Sequence, residues 1–224
     1  MEQSKLNTNI FILNHVNSIA NHFLAEIRDT GIQDDRLRFR KNLERIGQLL
    51  AYELSKTFSF GNKTVNTPLD SCQVDLIEEQ PVLVPVLRAG IPFYNGVLSY
   101  FDCADSGFIG AYRQEETEDG ELEIAMDYIA TPSIEDKRLV VIDTMLATGK
   151  SLVKSLNGLL KYGSPKHVDV LAVIAAPEGV EYLNKHLSIN SSIWLGALDE
   201  KLNSKFYIMP GLGDAGDLAF GTKL

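Results

Sequence analysis

The chain has 224 residues, 30 acidic and 21 basic side chains, and a formal charge of −9 with histidine neutral. A composition of 45% apolar and 23% charged residues excludes long disordered tracts, collagen-like repeats and coiled-coil arrays, and the length suits one domain or one domain with an appendage. The acidic balance argues against nucleic acid and membrane surfaces as general partners, because a polyanion is repelled on average, but it leaves room for a small anion in a local basic pocket.

The first predicted element is a helix over residues 14–29, ended by Gly31. A longer helix follows over 34–57. There Phe39, Leu43, Ile46 and Leu50 fall on one face, and Arg38, Lys41, Glu44 and Arg45 cover much of the rest. From residue 80 the pattern changes to apolar runs of strand length at 82–87, 139–142, 168–174 and 192–197. The first three lead into Gly-containing turns and then helical patterns, which predicts βαβ units and a parallel sheet. Near-continuous apolar runs predict strands buried on both faces. Between them, segments 108–113 and 122–128 flank an acidic stretch containing Asp119-Gly120, a hairpin signal. The carboxylates Glu115, Glu116, Glu118, Asp119, Glu121 and Glu123 read most simply as a solvated face of that hairpin.

Cys72 and Cys103 are the only cysteines, and no CxxC pair occurs. Neither a disulfide framework nor a structural zinc site is predicted. The polar start lacks a signal-peptide core and no apolar run reaches the length of a membrane span, so the expected location is the reducing cytoplasm.

Open parallel sheets bind ligands at the carboxyl ends of their strands. The leading segment there is Asp143-Thr144-Met145-Leu146-Ala147-Thr148-Gly149-Lys150-Ser151, read as the end of a strand, a loop and a helix start. A helix N-terminus offers free N–H groups to a phosphate, and Gly149 permits close backbone approach. Thr148 and Ser151 add hydroxyls, Lys150 adds charge, and Asp143 can accept from ribose hydroxyls. A capped helix with nothing bound is an equal reading of these residues alone. Gly149-Lys150-Ser151 also closes a nucleotide-hydrolase phosphate loop, but the opening glycine that loop requires is Thr144.

Arg88, in Pro85-Val-Leu-Arg88-Ala-Gly90, can present its planar fork to phosphate oxygens, or pair with a structural carboxylate. Arg113 is a cation beside carboxylates, whose bland reading is a hairpin ion pair. The tail Tyr207-Ile208-Met-Pro-Gly211-Leu-Gly213-Asp214-Ala215-Gly216-Asp217 reads as a shaped turn, neither helix nor strand, able to read a planar ring edge. Asp214 and Asp217 can reach ribose or metal-bound water, and a plain surface loop is the alternative. The four histidines form no ligand cluster, and Trp194 reads as core.

Together these segments resemble the uracil phosphoribosyltransferase family. The resemblance is carried by Val84-Pro-Val-Leu-Arg-Ala-Gly90, Tyr112-Arg-Gln-Glu-Glu-Thr117, the 143–151 segment, Ile174-Ala-Ala-Pro-Glu-Gly-Val180, Ala197-Leu-Asp-Glu-Lys-Leu-Asn203 and the 207–217 tail with Phe220-Gly-Thr-Lys223. It implies a type I phosphoribosyltransferase fold in a single domain over 1–224. That fold is a parallel sheet flanked by helices, with N-terminal helices (14–58), a core (80–200), a projecting β-hairpin and a C-terminal hood (201–224). The implied reaction joins uracil and 5-phosphoribosyl diphosphate to give UMP and diphosphate with Mg²⁺.

The resemblance also implies roles. Residues 143–151 would bind the ribose 5-phosphate and ribose, and Arg88 and Arg113 the diphosphate. Tyr207, Ile208, Gly213, Asp214 and Ala215 would hold uracil. Asp214 would also reach the phosphoribosyl substrate and, indirectly, its metal. A homo-oligomer, dimer or tetramer, and GTP activation are further family expectations, with no motif in this chain that specifies them. The chain departs from the family pattern at Thr144 in place of proline, Lys150 in place of glycine and Ile129 in place of a lysine. These departures keep open a second reading, a weakened relative that binds UMP or phosphoribosyl diphosphate as a regulator.

Overall fold

The computed structural model describes residues 9–113 and 124–222. In chain order the elements are β1 (Asn9–Ile12), α1 (Ala20–Arg28), α2 (Arg36–Ser55), β2 (Phe60–Asn66), β3 (Ser71–Ile77), β4 (Val82–Leu87), α3 (Gly90–Leu98), β5 (Asp105–Ser106), β6 (Phe108–Arg113), β7 (Ile124–Ala130), β8 (Arg138–Leu146), α4 (Lys150–Leu159), β9 (His167–Ala175), α5 (Pro177–His186), β10 (Ser191–Leu198), β11 (Lys201–Leu202), β12 (Ile208–Met209) and α6 (Ala215–Phe220).

The main sheet runs β1-β10-β9-β8-β4-β6-β7, with β5 beside β4. Every pairing in it is parallel except β6 with β7. Val84, Val141, Val170 and Ile193 stand in one row across four strands. That row faces α4 and α5, in a core with Leu152, Leu156, Val180 and Leu183. The alternate residues Leu83, Val140, Ile142, Leu171 and Val173 face α1, α2 and α3. Period-two burial on both faces explains why the strands read as unbroken apolar runs. Each fully buried Leu, Ile or Val contributes about 2 kcal/mol, which dominates the stability of this three-layer arrangement.

α2 follows the predicted stripe. Phe39, Leu43, Ile46, Leu50 and Leu54 are buried, and Asp35 caps the helix by accepting from the Arg38 N–H at 3.0 Å. α2 and α3 cross so closely that a Cβ on Gly96 would sit 2.0 Å from the Glu44 carbonyl oxygen. Only glycine permits that approach.

The structure corrects the sequence reading at four places, two of them element boundaries. The helix expected over 14–29 begins only at Ala20, whose N–H donates to the Ser18 hydroxyl, and a short 3₁₀ turn over Leu13–His15 precedes it. The strand expected to stop at 142 continues to Leu146, because its ladder with β9 persists through Asp143↔Ala172 and Leu146↔Ala175. Asp143 therefore lies within a strand, not at its end. The tail expected to be neither helix nor strand contains both. Ile208 pairs with Leu202 in β11–β12, and Asp214 starts α6 by accepting from the Asp217 N–H at 3.0 Å. Finally, β2 and β3 form an unpredicted antiparallel ribbon.

β6 and β7 pair as the expected hairpin, with a register shift between Gly110 and Ala111. The acidic stretch Glu115 to Glu123 lies outside the described residues.

Candidate active site

Parallel strands end together, so the ends of β4 and β8 open on one side of the sheet. A cleft of about 850 Å³ lies there. It brings together residues far apart in sequence: Arg88 after β4, Asp143 to Gly149 and Ser151 around the end of β8, and Tyr207, Gly213, Asp214 and Ala215 from the C-terminal hood. Within the β8 segment all of Asp143, Thr144, Met145, Leu146, Ala147, Thr148 and Gly149 line the cleft.

The turn into α4 depends on Gly149, which holds φ 74, a left-handed conformation that favours glycine. A Cβ there would also come within 2.8 Å of the Gly179 carbonyl. Gly179 in turn packs its backbone on Ala147, where a Cβ would meet the carbonyl oxygen at 2.3 Å. The start of α5 thus backs the loop tightly. Gly149 offers α4 no side-chain cap, which leaves the helix start suited to an anion. Thr144 is 1% exposed, and its hydroxyl has no hydrogen-bond partner among the described residues.

Three predicted residues are placed differently from the rest. Lys150 is exposed and does not line the cleft, because the helix turns Ser151 and Leu152 toward it instead. Ile208 is 3% exposed and packs in the core. Arg113 ends β6, and its side chain lies outside the described residues.

Arg88 is half-exposed, with the Asp217 carboxylate 3.7 Å from its guanidinium. Such a loose pair leaves the fork available to a ligand. The Leu87–Arg88 and Met209–Pro210 peptides are cis. Among the described residues no group of three or more His, Cys, Asp or Glu side chains is placed to hold a metal ion. The donor set, Asp143 and Asp214, fits a divalent cation carried by a diphosphate and touched through water, and does not fit an ion caged by protein alone.

A clamp that sequence reasoning missed fixes the hood. Arg28 at the end of α1 donates to both carboxylate oxygens of Asp199, at 2.6 and 2.8 Å, and to the Gly211 carbonyl at 2.9 Å. The Gly211 N–H donates to Asp199 at 2.9 Å. Arg40 of α2 holds the Ala219 carbonyl at 2.7 Å, and Glu178 of α5 accepts from the Leu202 N–H at 3.0 Å. Asp199 carried a faint signal as a carboxylate just past an apolar run. Arg28, 171 residues away from it, carried none. Tyr128 and Phe206 also line the cleft and were not singled out.

The family model described as uracil phosphoribosyltransferase matches residues 15–222. The chain belongs to the uracil phosphoribosyltransferase family. A Porphyromonas gingivalis protein named uracil phosphoribosyltransferase is 44% identical over 207 residues, covering 92% of this chain and 95% of its own. One of the same name from Thermococcus gammatolerans is 39% identical, covering 90% and 88%. The solved structure of an Aquifex aeolicus protein superposes with a TM-score of 0.84 at 35% identity, covering 96% of this chain and 99% of that one. Membership of the uracil phosphoribosyltransferase family agrees with the mixed α/β architecture, in which a largely parallel sheet carries helices on both faces.

Proposed function

We propose that the chain transfers the phosphoribosyl group of 5-phosphoribosyl diphosphate to uracil, forming UMP and diphosphate in pyrimidine salvage. The observation that carries this reading is the single cleft formed by Arg88, the 143–149 segment and the 213–215 hood backbone. Residues 143–149 and Ser151, at the start of α4, suit the 5-phosphate and ribose hydroxyls. Arg88 suits the diphosphate, joined by Arg113 from the family motif. The backbone around Tyr207 and 213–215 suits the uracil edge, with Ile208 buried behind it.

The chemistry breaks the bond from the anomeric carbon to the diphosphate oxygen, which keeps the electron pair. A bond from the uracil ring nitrogen to that carbon forms, and the nitrogen loses its proton. Positive charge grows on the ribose and negative charge on the leaving group. Arg88 stabilises the latter, a contact whose removal costs about 3 kcal/mol of barrier. Holding the ring nitrogen in line with the anomeric carbon supplies orientation. The family implies a divalent cation, for which we propose Mg²⁺; when bound, it neutralises charge on the diphosphate. Asp214 would reach it through water.

We also propose a homo-oligomer. The ribbon β2–β3 turns Val65, Cys72, Val74 and Leu76 to one face, all exposed, and a lone two-stranded ribbon is marginal in water. Light scattering on the purified protein reads the assembly directly. Among the described residues no helix is long and apolar enough to cross a membrane, and the free Cys72 and Cys103 suit the reducing cytoplasm we propose as its location.

The test is UMP formation from uracil and phosphoribosyl diphosphate with Mg²⁺, with and without GTP as a candidate activator. Turnover is expected. UMP binding by calorimetry without turnover would refute catalysis and leave a regulator as the reading.

A further inference from the structure

Phe206 holds a left-handed backbone conformation, φ 60. Among the described residues the one other non-glycine with positive φ is Asp136, at φ 53, a residue type whose short polar side chain tolerates that region. A bulky aromatic there is strained where glycine would not be. Burial does not offset the strain, since Phe206 is 43% exposed. The turn is nonetheless firmly built. The Asn203 side-chain oxygen accepts from the N–H groups of Lys205 and Tyr207, both at 2.9 Å, and the Phe206 N–H donates to the Asn203 carbonyl at 2.9 Å. The chain therefore fixes an exposed ring in an unfavourable conformation, and neither local propensity nor core packing accounts for it.

The ring's position does account for it. Phe206 lines the cleft beside Tyr207, immediately before β12. The hood then folds back on β12 so tightly that a Cβ on Gly211 would meet the Ile208 carbonyl at 2.1 Å, and it returns to the same cleft at 213–216. Strain held at a ligand-facing position is where such outliers gather.

We propose that Phe206 is a specificity-determining residue, its ring forming an apolar wall of the cleft against which the planar pyrimidine packs. The inference rests on the uracil reading of the cleft. Ring-on-ring contact would remove the exposed face from water when the base binds, and an aromatic pair adds attraction beyond the area it covers. The backbone edge of the hood would fix the ring's polar groups, while Phe206 would limit bulk beside them.

The decisive variant is Phe206→Gly. Glycine relieves the strain, so its melting temperature should equal or exceed that of the parent. KM for uracil should rise about tenfold, as expected for loss of one base-stacking contact, while KM for phosphoribosyl diphosphate stays within about twofold. Selectivity for uracil over 5-bromouracil, measured as the ratio of kcat/KM values, should fall. Phe206→Tyr should restore the parent KM. Unchanged KM for uracil in Phe206→Gly, beside an active parent, would overturn this inference alone. Equal rises in both KM values would also overturn it, as a general loosening of the hood. No UMP formation by the parent would overturn the uracil reading, and this inference with it.

Discussion

Asp214 carries two duties that a single substitution can separate. Its side chain caps α6 by accepting from the Asp217 N–H at 3.0 Å, and it lines the cleft. Asparagine caps a helix about as well as aspartate, so Asp214→Asn should leave stability within about 0.5 kcal/mol of the parent. The negative charge is lost, however, and with it the proposed contact to the phosphoribosyl substrate and its hydrated cation. Turnover should fall about a hundredfold, the scale of losing one well-placed electrostatic contact. Steady-state kinetics beside thermal unfolding check both halves. A parallel loss of melting temperature and rate would make Asp214 structural only. Lys150 is the contrasting case. Its sequence position recommended it as a phosphate ligand, yet its side chain is exposed and off the cleft lining. A charge beside a glycine-rich loop is visible in sequence; the helical turn that aims it is not.

Among elements, the hood is held partly by its own buried residues, Ile208, Leu212, Ala215 and Ala219, and partly by polar contacts from outside it. β11, β12 and α6 together contribute ten residues of regular structure, too few to fix a binding backbone independently. The Arg28–Asp199 pair supplies what they lack, tying α1 to the end of β10 and to both backbone groups of Gly211. Asp199→Asn keeps an acceptor for the Gly211 N–H but leaves Arg28 with an uncompensated charge. A stability loss of about 2 kcal/mol is expected, less than for a fully buried pair, because the Arg28 side chain is 21% exposed. KM for uracil should rise more than KM for phosphoribosyl diphosphate, since the clamp touches the hood and not the β8 loop. Equal changes in the two constants would show that the clamp serves the fold alone.

Elements also show what sequence makes legible. β4, β9 and β10 were readable because burial on both faces leaves an unbroken apolar run. α2 was readable because one stripe meets the core. The ribbon β2–β3 contributes only the edge residue Ile77 to the main core, so no periodic signal marked it. β8 ran past its expected end because Asp143 and Thr144 look like loop chemistry, while ladder pairing to β9 decides their conformation. The cleft itself was legible, because the rule that parallel strands present their ligands at one end needs only the strand order. The clamp on Gly211 was not, because it is made by tertiary contact across 183 residues.

At the scale of the whole molecule, the charges that hold the fold lie apart from those that line the cleft. Asp169 sits near the start of β9, where Arg138 and the Trp194 indole bind it at 2.5 and 2.8 Å. Burial pushes its carboxyl up, but His167 and Arg138 outweigh burial and hold it below the ordinary range. Glu26 on α1 is the second such group. It accepts from Arg38 at 2.5 and 2.8 Å and from the buried Asn42 at 2.6 Å, joining α1 to α2. These hydrogen bonds, Arg38 first, lower its pKa from 4.5 to about 2. A carboxyl depressed in the folded state contributes stability that is complete above its unfolded value and lost as protons bind the folded form. The Glu26 contribution is therefore whole above pH 4.5 and disappears as pH falls toward about 2. Glu26→Gln should be less stable than the parent at pH 7 and should close that gap progressively below pH 4.5, because the variant has no proton to gain there. Urea unfolding at a series of pH values measures the difference, and urea is preferable to guanidinium chloride because it does not screen the pair. Asp169 titrates in parent and variant alike, so it cancels in the comparison. A constant gap between the two proteins from pH 7 to pH 3 would show that the Glu26–Arg38 pair contributes nothing through its charge.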